Sequence, residues 1–345
     1  MKRFLIGAVA AAALFVANTV GAQTVLKLQA SNAEGSFALN YLNKTWVSKL
    51  EAMTYGNLRV DIRPSSSVVP HRETPQAIIA GVLQGDLNAV AYFADRDPVF
   101  GVLGDLTAGY DSPEQKQMFF RFGGGVELLQ KSWDKVYPGQ LHVVGAGPII
   151  MEAFVSRRPI KSVYDFQGVK IRSPAGMAAE VFRRIGAKPK SIPFHELSAA
   201  LENKVVDAAD ASSYTNNTAL GFNRIAKFPI YPGIHSMIVQ QFVIKKSIWD
   251  QIGPNGQAAL ETWYYAAWTD MSRAVDLQDH KLVEADRDGT GTPGVRVVSW
   301  SQEERDRLRA IAQGVWKNIG NKSPLAKEAY DSHVAFMKTM GLLKK

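Results

Sequence analysis

One arginine, Arg172, stands where a carboxylate could be gripped. It ends the strand-like part of the run Phe166-Gln-Gly-Val-Lys-Ile-Arg172-Ser-Pro174-Ala-Gly176, in which Val169 and Ile171 alternate with Lys170 and Arg172. That alternation predicts a short strand with one apolar and one cationic face. Pro174 cannot donate to a sheet ladder, so the strand stops near Arg172, and both residues are candidates for ligand binding. Gly176 then turns the chain into a stretch with Met177, Val181, Phe182 and Ile185 at helical spacing. The carboxyl end of a strand is where α/β proteins commonly hold ligands, and a planar guanidinium can bind a carboxylate through two parallel hydrogen bonds. A structural ion pair or a solvated surface arginine is the alternative.

Other candidates also fall at strand ends or in the loops that follow strands: Met151, Glu152, Asp210, Tyr214, Asn216 and His235, with Asn32 and Tyr92 nearer the N-terminus. Each has an ordinary structural reading beside the functional one. Met151 fills cores well, Asp210 could cap a helix, Tyr214 could be packing, Asn216 is a common loop residue, and His235 could be a structural donor. No catalytic constellation emerges. G-x-S-x-G, a P-loop and H-E-x-x-H are all missing. His195-Glu196 begins a zinc motif, but Ala199 stands where the second histidine must be, and Gly145-Ala-Gly147 lacks the third glycine of a dinucleotide loop because Ile150 replaces it. There is no cysteine, which removes thiol nucleophiles and thiolate metal sites.

The elements that must carry these residues read as two α/β series in a chain of 345 residues. Residues 1–22 look like a signal peptide: a positive start at Lys2-Arg3, an uncharged apolar run, and Val20-Gly21-Ala22 as a small-residue cleavage site. Strand–helix–strand–helix–strand follows, with strands at 25–29, 58–62 and 88–93, the last ending in Tyr92-Phe93. A second series runs from His142. The expected division is a first lobe of 23–141 with 232–256, a second of 142–231 with 290–345, and a helix over 257–288 long enough to lie across both. Formal net charge is +8, and loss of Lys2 and Arg3 lowers it by two, to +6. The basic residues are scattered without interleaved aromatics, so nucleic acid is not an expected partner, while a mildly positive field favours small anions.

The motif Phe166-Gln-Gly-Val-Lys-Ile-Arg172, followed by Gly186-Ala187, Ile192-Pro193, Glu196-Leu197, Ala200-Leu201-Glu202 and Val206-Asp207-Ala208, resembles the core of TRAP transporter solute-binding subunits. The resemblance covers essentially the whole chain after the leader. It implies a two-lobed periplasmic binding protein fold with a long helix bridging both lobes, periplasmic location, capture of an organic carboxylate by Arg172, delivery to TRAP-type membrane permease subunits, and no enzyme activity. The stretch from Phe222 to His235 is most similar to the branch that binds 2-oxo acids and lactate, sometimes with a metal ion. That branch tends to carry Trp after the acid corresponding to Asp210, Glu after the histidine and Gln near Met151, whereas this chain has Ala211 and Ser236. A hard cation needs several oxygen ligands and the metal-ligand pattern here is incomplete, so no metal site and no cofactor are expected, with a bound Ca or Na ion as the alternative that the resemblance leaves open. Ala211 in place of Trp implies a roomier pocket, suited to a larger or aromatic acid, and joins the ligand-binding candidates. The alternatives are a secreted hydrolase or lyase acting on an organic acid, or an ABC-type binding protein.

Overall fold

Runs of Val, Ile, Leu and Ala bounded by turn residues form nine strands among the described residues of the computed structural model, which are 23–173, 176–192 and 194–344. The leader 1–22 and Pro174 lie outside them. The strands are β1 Thr24–Ala30, β2 Leu58–Arg63, β3 Gly85–Ala89, β4 Leu141–Pro148, β5 Ala153–Ser156, β6 Lys170–Arg172, β7 Lys188–Lys190, β8 Ala208–Ser212 and β9 Val239–Lys245. They make two sheets, β2-β1-β3-β9-β4 and β5-β8-β6-β7. In the first, β1 runs parallel to β2 and β3, with Leu28 opposite Ile62. Strand β9 returns antiparallel between β3 and β4. In the second, β6 is parallel to both β7 and β8, and β5 is antiparallel to β8.

Three expectations are corrected. The strand from His142 belongs to the first sheet, not the second lobe: β4 pairs along β9 from Leu141 opposite Lys245 to Pro148 opposite Val239. The strand expected over 88–93 stops at Ala89 and becomes a 3-10 turn, Val90–Phe93, that carries Tyr92. Asn88 closes it locally, its Oδ1 accepting from Ala89 N at 2.9 Å and its Nδ2 donating to the His71 carbonyl at 2.6 Å. Residues 290–345 are not confined to the second lobe. The helix Gln302–Gly320 does pack on the helix Met177–Arg184, yet its Trp316 indole donates to the Thr107 carbonyl at 2.9 Å. The helix Pro324–Thr339 lies on Pro98–Gly104 and Gly125–Val136, with the His333 ring stacked on Phe119.

The long helix runs Gly253–Asp288, with Pro in its first turn and Gly289 at φ +83° as its C-cap. Its 36 residues span about 54 Å. Leu260, Trp263, Tyr264, Trp268 and Met271 bury into the core over the first sheet with Leu28, Val60 and Phe242. Farther along, Asp279 accepts from the backbone N–H groups of Tyr214 and Thr215, capping the helix Tyr214–Ala219 that follows β8. One helix therefore ties into both sheets.

A buried polar network crosses the first sheet. Asp86 in β3 accepts from the Thr74 hydroxyl and from Gln241 Nε2 at 3.0 Å, and Gln241 Oε1 accepts from the Trp133 indole at 2.9 Å. Burial outweighs these bonds and pushes the Asp86 carboxyl up to about 7. A folded-state value above the unfolded 3.8 means that its stabilising contribution is complete below about pH 4 and is lost as pH rises through about 7. Asp86→Asn is expected to flatten the pH dependence of urea-unfolding stability between pH 4.5 and 7.5. A slope equal to the parent's in that window would show that Asp86 does not set it.

Candidate functional site

Arg172 is the last residue of β6, whose neighbours Val169 and Ile171 are fully buried. The strand lies between β7 and β8, so its end is enclosed on both sides. The guanidinium is held by two backbone carbonyls: Nε donates to Ile192 at 3.0 Å and Nη1 to Asp210 at 2.8 Å. Only 7% of the residue is exposed. Its direction is thus fixed by the sheet, not by solvent.

Asp210, on β8, presents its carboxylate beside this arginine. Its Oδ2 accepts from the Ser173 hydroxyl at 3.1 Å, and its Oδ1 lies 3.2 Å from His235 Nε2. His235 comes from the segment 229–238 that returns the chain to the first sheet, and its carbonyl accepts from Ala108 N at 2.6 Å. Glu152 comes from the other crossing, 149–152, between β4 and β5. Its backbone N–H donates to the Ser236 carbonyl at 3.0 Å, and its Oε2 stands 3.7 Å from His235 Nε2. The crossings touch at Gly233, where a Cβ would sit 1.9 Å from the Glu152 carbonyl oxygen. Arg305 holds the same turn by donating to the Pro232 and Gly233 carbonyls at 2.9 and 2.7 Å.

The electrostatics separate the two carboxyl groups. Burial, the neighbouring Asp210 and Asp105 hold the Glu152 carboxyl well above the usual carboxylate range, with Arg172 opposing. Burial also acts to raise Asp210, but His235 and Arg172 outweigh it and hold that group below its ordinary value. Glu152 therefore keeps its proton in conditions where Asp210 is ionised. Tyr92 brings the first lobe to the same place: burial and Glu152 raise its hydroxyl, Arg172 lowers it, and its ring lies 4.3 Å from that of His71.

The remaining candidates divide. Met151 is half-buried against the Gly233 turn. Ala211 packs into a small core with Val155, Leu197 and Phe222. Tyr214 is fully buried and its hydroxyl donates to Asp286 of the long helix, so that group is already engaged. Asn216 donates to the Ser212 hydroxyl at 3.1 Å. Asn32 keeps a buried Oδ1 with no hydrogen-bond partner among the described residues. Arg172, Glu152, Asp210 and His235 are the ones brought together. Sequence reasoning missed Asp105, which accepts from the Ser236 hydroxyl at 2.6 Å, and Lys116, which donates to the Met237 carbonyl at 2.6 Å and whose amine burial lowers to about 8. A lone Asp after a helix and a lone Lys within one carry no local signal.

Glu152, Asp210 and His235 place one ligating atom each within 4.8 Å of one another. By donor count that is a sparse set for sodium or calcium: two carboxyl groups, one of them bonded to Ser173, and a nitrogen, whereas calcium takes six to eight oxygens.

The family model for bacterial extracellular solute-binding proteins, family 7, matches residues 29–323. The chain is similar to the monocarboxylate 2-oxoacid-binding periplasmic protein of Nostoc sp., 23% identical over 296 residues that cover 86% of this chain and 79% of the relative. It superposes on a TRAP periplasmic solute binding protein from Rhodobacter sphaeroides, in an apo open structure, with a TM-score of 0.82 and 33% identity over 93% of this chain and 100% of that one. A TRAP periplasmic solute binding protein from Colwellia psychrerythraea with bound calcium and pyruvate shares the fold, with a TM-score of 0.76 and 22% identity over 92% and 95% of the two chains. Among the described residues no helix is long and apolar enough to cross a membrane.

Proposed function

This chain belongs to the bacterial extracellular solute-binding proteins of family 7, and from that premise we propose that it captures a small organic carboxylate between its two lobes in the periplasm and delivers it to a TRAP-type membrane permease. The family consists of receptors, so the solute leaves unchanged. The observation that carries the reading is Arg172: a buried guanidinium at a strand end, fixed by the Ile192 and Asp210 carbonyls and facing a cluster drawn from both crossings. Fixing one edge of the fork in advance reduces the side-chain ordering that a bound carboxylate would otherwise require. Tyr92 supports an approach from the first lobe, because it lies within electrostatic reach of both Arg172 and Glu152. Closure of the lobes would exclude water and strengthen the ion pair, and only the loaded form would present both lobes to a permease in one relative orientation.

The test is a thermal-shift panel of mono- and dicarboxylates on the mature protein after unfolding and refolding to remove carried-over solute. A ligand at about a hundredfold over its dissociation constant adds roughly 2.7 kcal/mol of stability, which is easily read as a rise in Tm. At least one carboxylate is expected to produce it. A panel with no stabilising acid would overturn the proposal.

A further inference from the structure

We infer that Phe194 sets the specificity of this site and that the solute is a monocarboxylate with an apolar tail, its carboxylate on Arg172 and its tail on the Phe194 ring. The inference rests on the carboxylate reading above and narrows its substrate class.

Sheet register brings the ring there. Strands β6, β7 and β8 run parallel, with Arg172 opposite Lys190 of β7 and Ala209 of β8. The loops that follow β7 and β8 therefore leave the sheet at the same edge as the guanidinium. The loop after β7 runs against Arg172, whose Nε donates to the Ile192 carbonyl. Two residues on, the Phe194 ring centre lies 5.6 Å from the guanidinium carbon, within reach of a cation–π contact. Phe194 meets Phe222 edge-on, with centres 5.7 Å apart and planes at 78°. Phe222 belongs to the small core with Val155, Leu197 and Ala211, which anchors the ring.

Packing engages only part of that ring. Phe222 is 3% exposed, whereas Phe194 remains 39% exposed. A single exposed aromatic is ordinary on a protein surface; this one is distinguished by its place on Arg172 and by its polar neighbours. After β8, the Tyr214 hydroxyl donates to Asp286 and Asn216 donates to the Ser212 hydroxyl. Asn217 is fully buried and donates to the Ala153 and Ser212 carbonyls. The unpartnered side-chain atoms of Glu152 and His235 belong to the two crossings, so the loop after β7 contributes a hydrocarbon face and little else. A solute ending in a hydroxyl or a second carboxylate would lose water against the ring without gaining a hydrogen bond. An alkyl or aryl tail would remove apolar surface of both partners from water.

Two homologous series test this: straight-chain acids from acetate to hexanoate, and 2-oxo acids from pyruvate to 2-oxohexanoate. Each includes a diacid of matched length, glutarate against pentanoate and 2-oxoglutarate against 2-oxopentanoate. In the series that binds, calorimetry on the mature protein freed of carried-over solute is expected to show affinity rising about three- to fourfold per methylene. The monoacid should bind at least tenfold tighter than its diacid. Phe194→Ala should weaken the longest acids at least tenfold and the shortest far less, and Phe194→Leu should restore most of the slope, with thermal unfolding confirming that both variants fold. Affinity that is flat or falls with chain length, or a diacid as tight as its monoacid, overturns this inference and leaves the carboxylate reading standing. So does a Phe194→Ala series as steep as the parent's, or one lowered equally at every length, which would make the ring a prop for Arg172 alone. Absence of binding by every acid removes the carboxylate reading and this inference with it.

Discussion

Arg172→Ala is expected to abolish ligand-induced stabilisation and to lower affinity for the carboxylate by at least a hundredfold. The guanidinium has two duties. It offers a charged fork to the solute, and it holds the Ile192 and Asp210 carbonyls at 3.0 and 2.8 Å. Truncating one partner of a buried, hydrogen-bonded charge pair costs about 2–5 kcal/mol or more, and every 1.4 kcal/mol is tenfold in affinity. Removal also takes away a cation that helps keep Asp210 ionised. Arg172→Lys should be nearly as damaging, because a point charge on a flexible stem can neither bond both carbonyls nor present a planar fork. Calorimetry on both variants, with circular dichroism to confirm the fold, reads the effect. A variant with parental affinity and an intact Tm shift would remove Arg172 from the site.

Gly233→Ala is expected to damage stability and binding together. Its Cβ would stand 1.9 Å from the Glu152 carbonyl oxygen and 2.9 Å from that carbonyl carbon. Neither side can readily give. The Glu152 N–H is bonded to the Ser236 carbonyl at 3.0 Å, and Arg305 grips the Pro232 and Gly233 carbonyls. Overpacking of this kind typically costs about 1–3 kcal/mol, occasionally more, and any relief must separate Glu152 from His235. Urea unfolding should give a lower midpoint, and carboxylate affinity should fall at least tenfold. Parental values for both quantities would mean that the crossings slide freely past one another.

Much of the architecture was legible because it follows from local periodicity. The alternation of Val169 and Ile171 with charged residues marked β6, and the helical spacing from Leu260 to Val275 marked the long helix, which begins four residues earlier than expected because Pro254 fits a first turn. The two-lobed fold with its bridging helix agrees with the solved relatives. Sheet membership was not legible. Strand β4 lies early in the second series of elements, but its partner β9 is almost a hundred residues farther along, and no local pattern tells which sheet it joins. The site was legible residue by residue but not as a cluster. Glu152, Asp210 and His235 were each candidates from their places at strand ends and in loops, while their convergence depends on the contact at Gly233. Tyr214 occupied an equally promising loop position, yet Asp286, 72 residues later, engages its hydroxyl.

Placement of Glu152 and His235 on the two crossings has a mechanical consequence. Rotation of one lobe against the other would put twist into 149–152 and 229–238, while the long helix is tied to each side, by Trp268 to Gly147 and by Asp279 to Tyr214 and Thr215. A solute bridging the side chains of both ribbons acts as a pin through the pivot. It resists torsion where the lever arm is shortest and the angular change per ångström is greatest. A molecule of a few heavy atoms can then set the relative angle of two bodies many times its size, with no relay through either core.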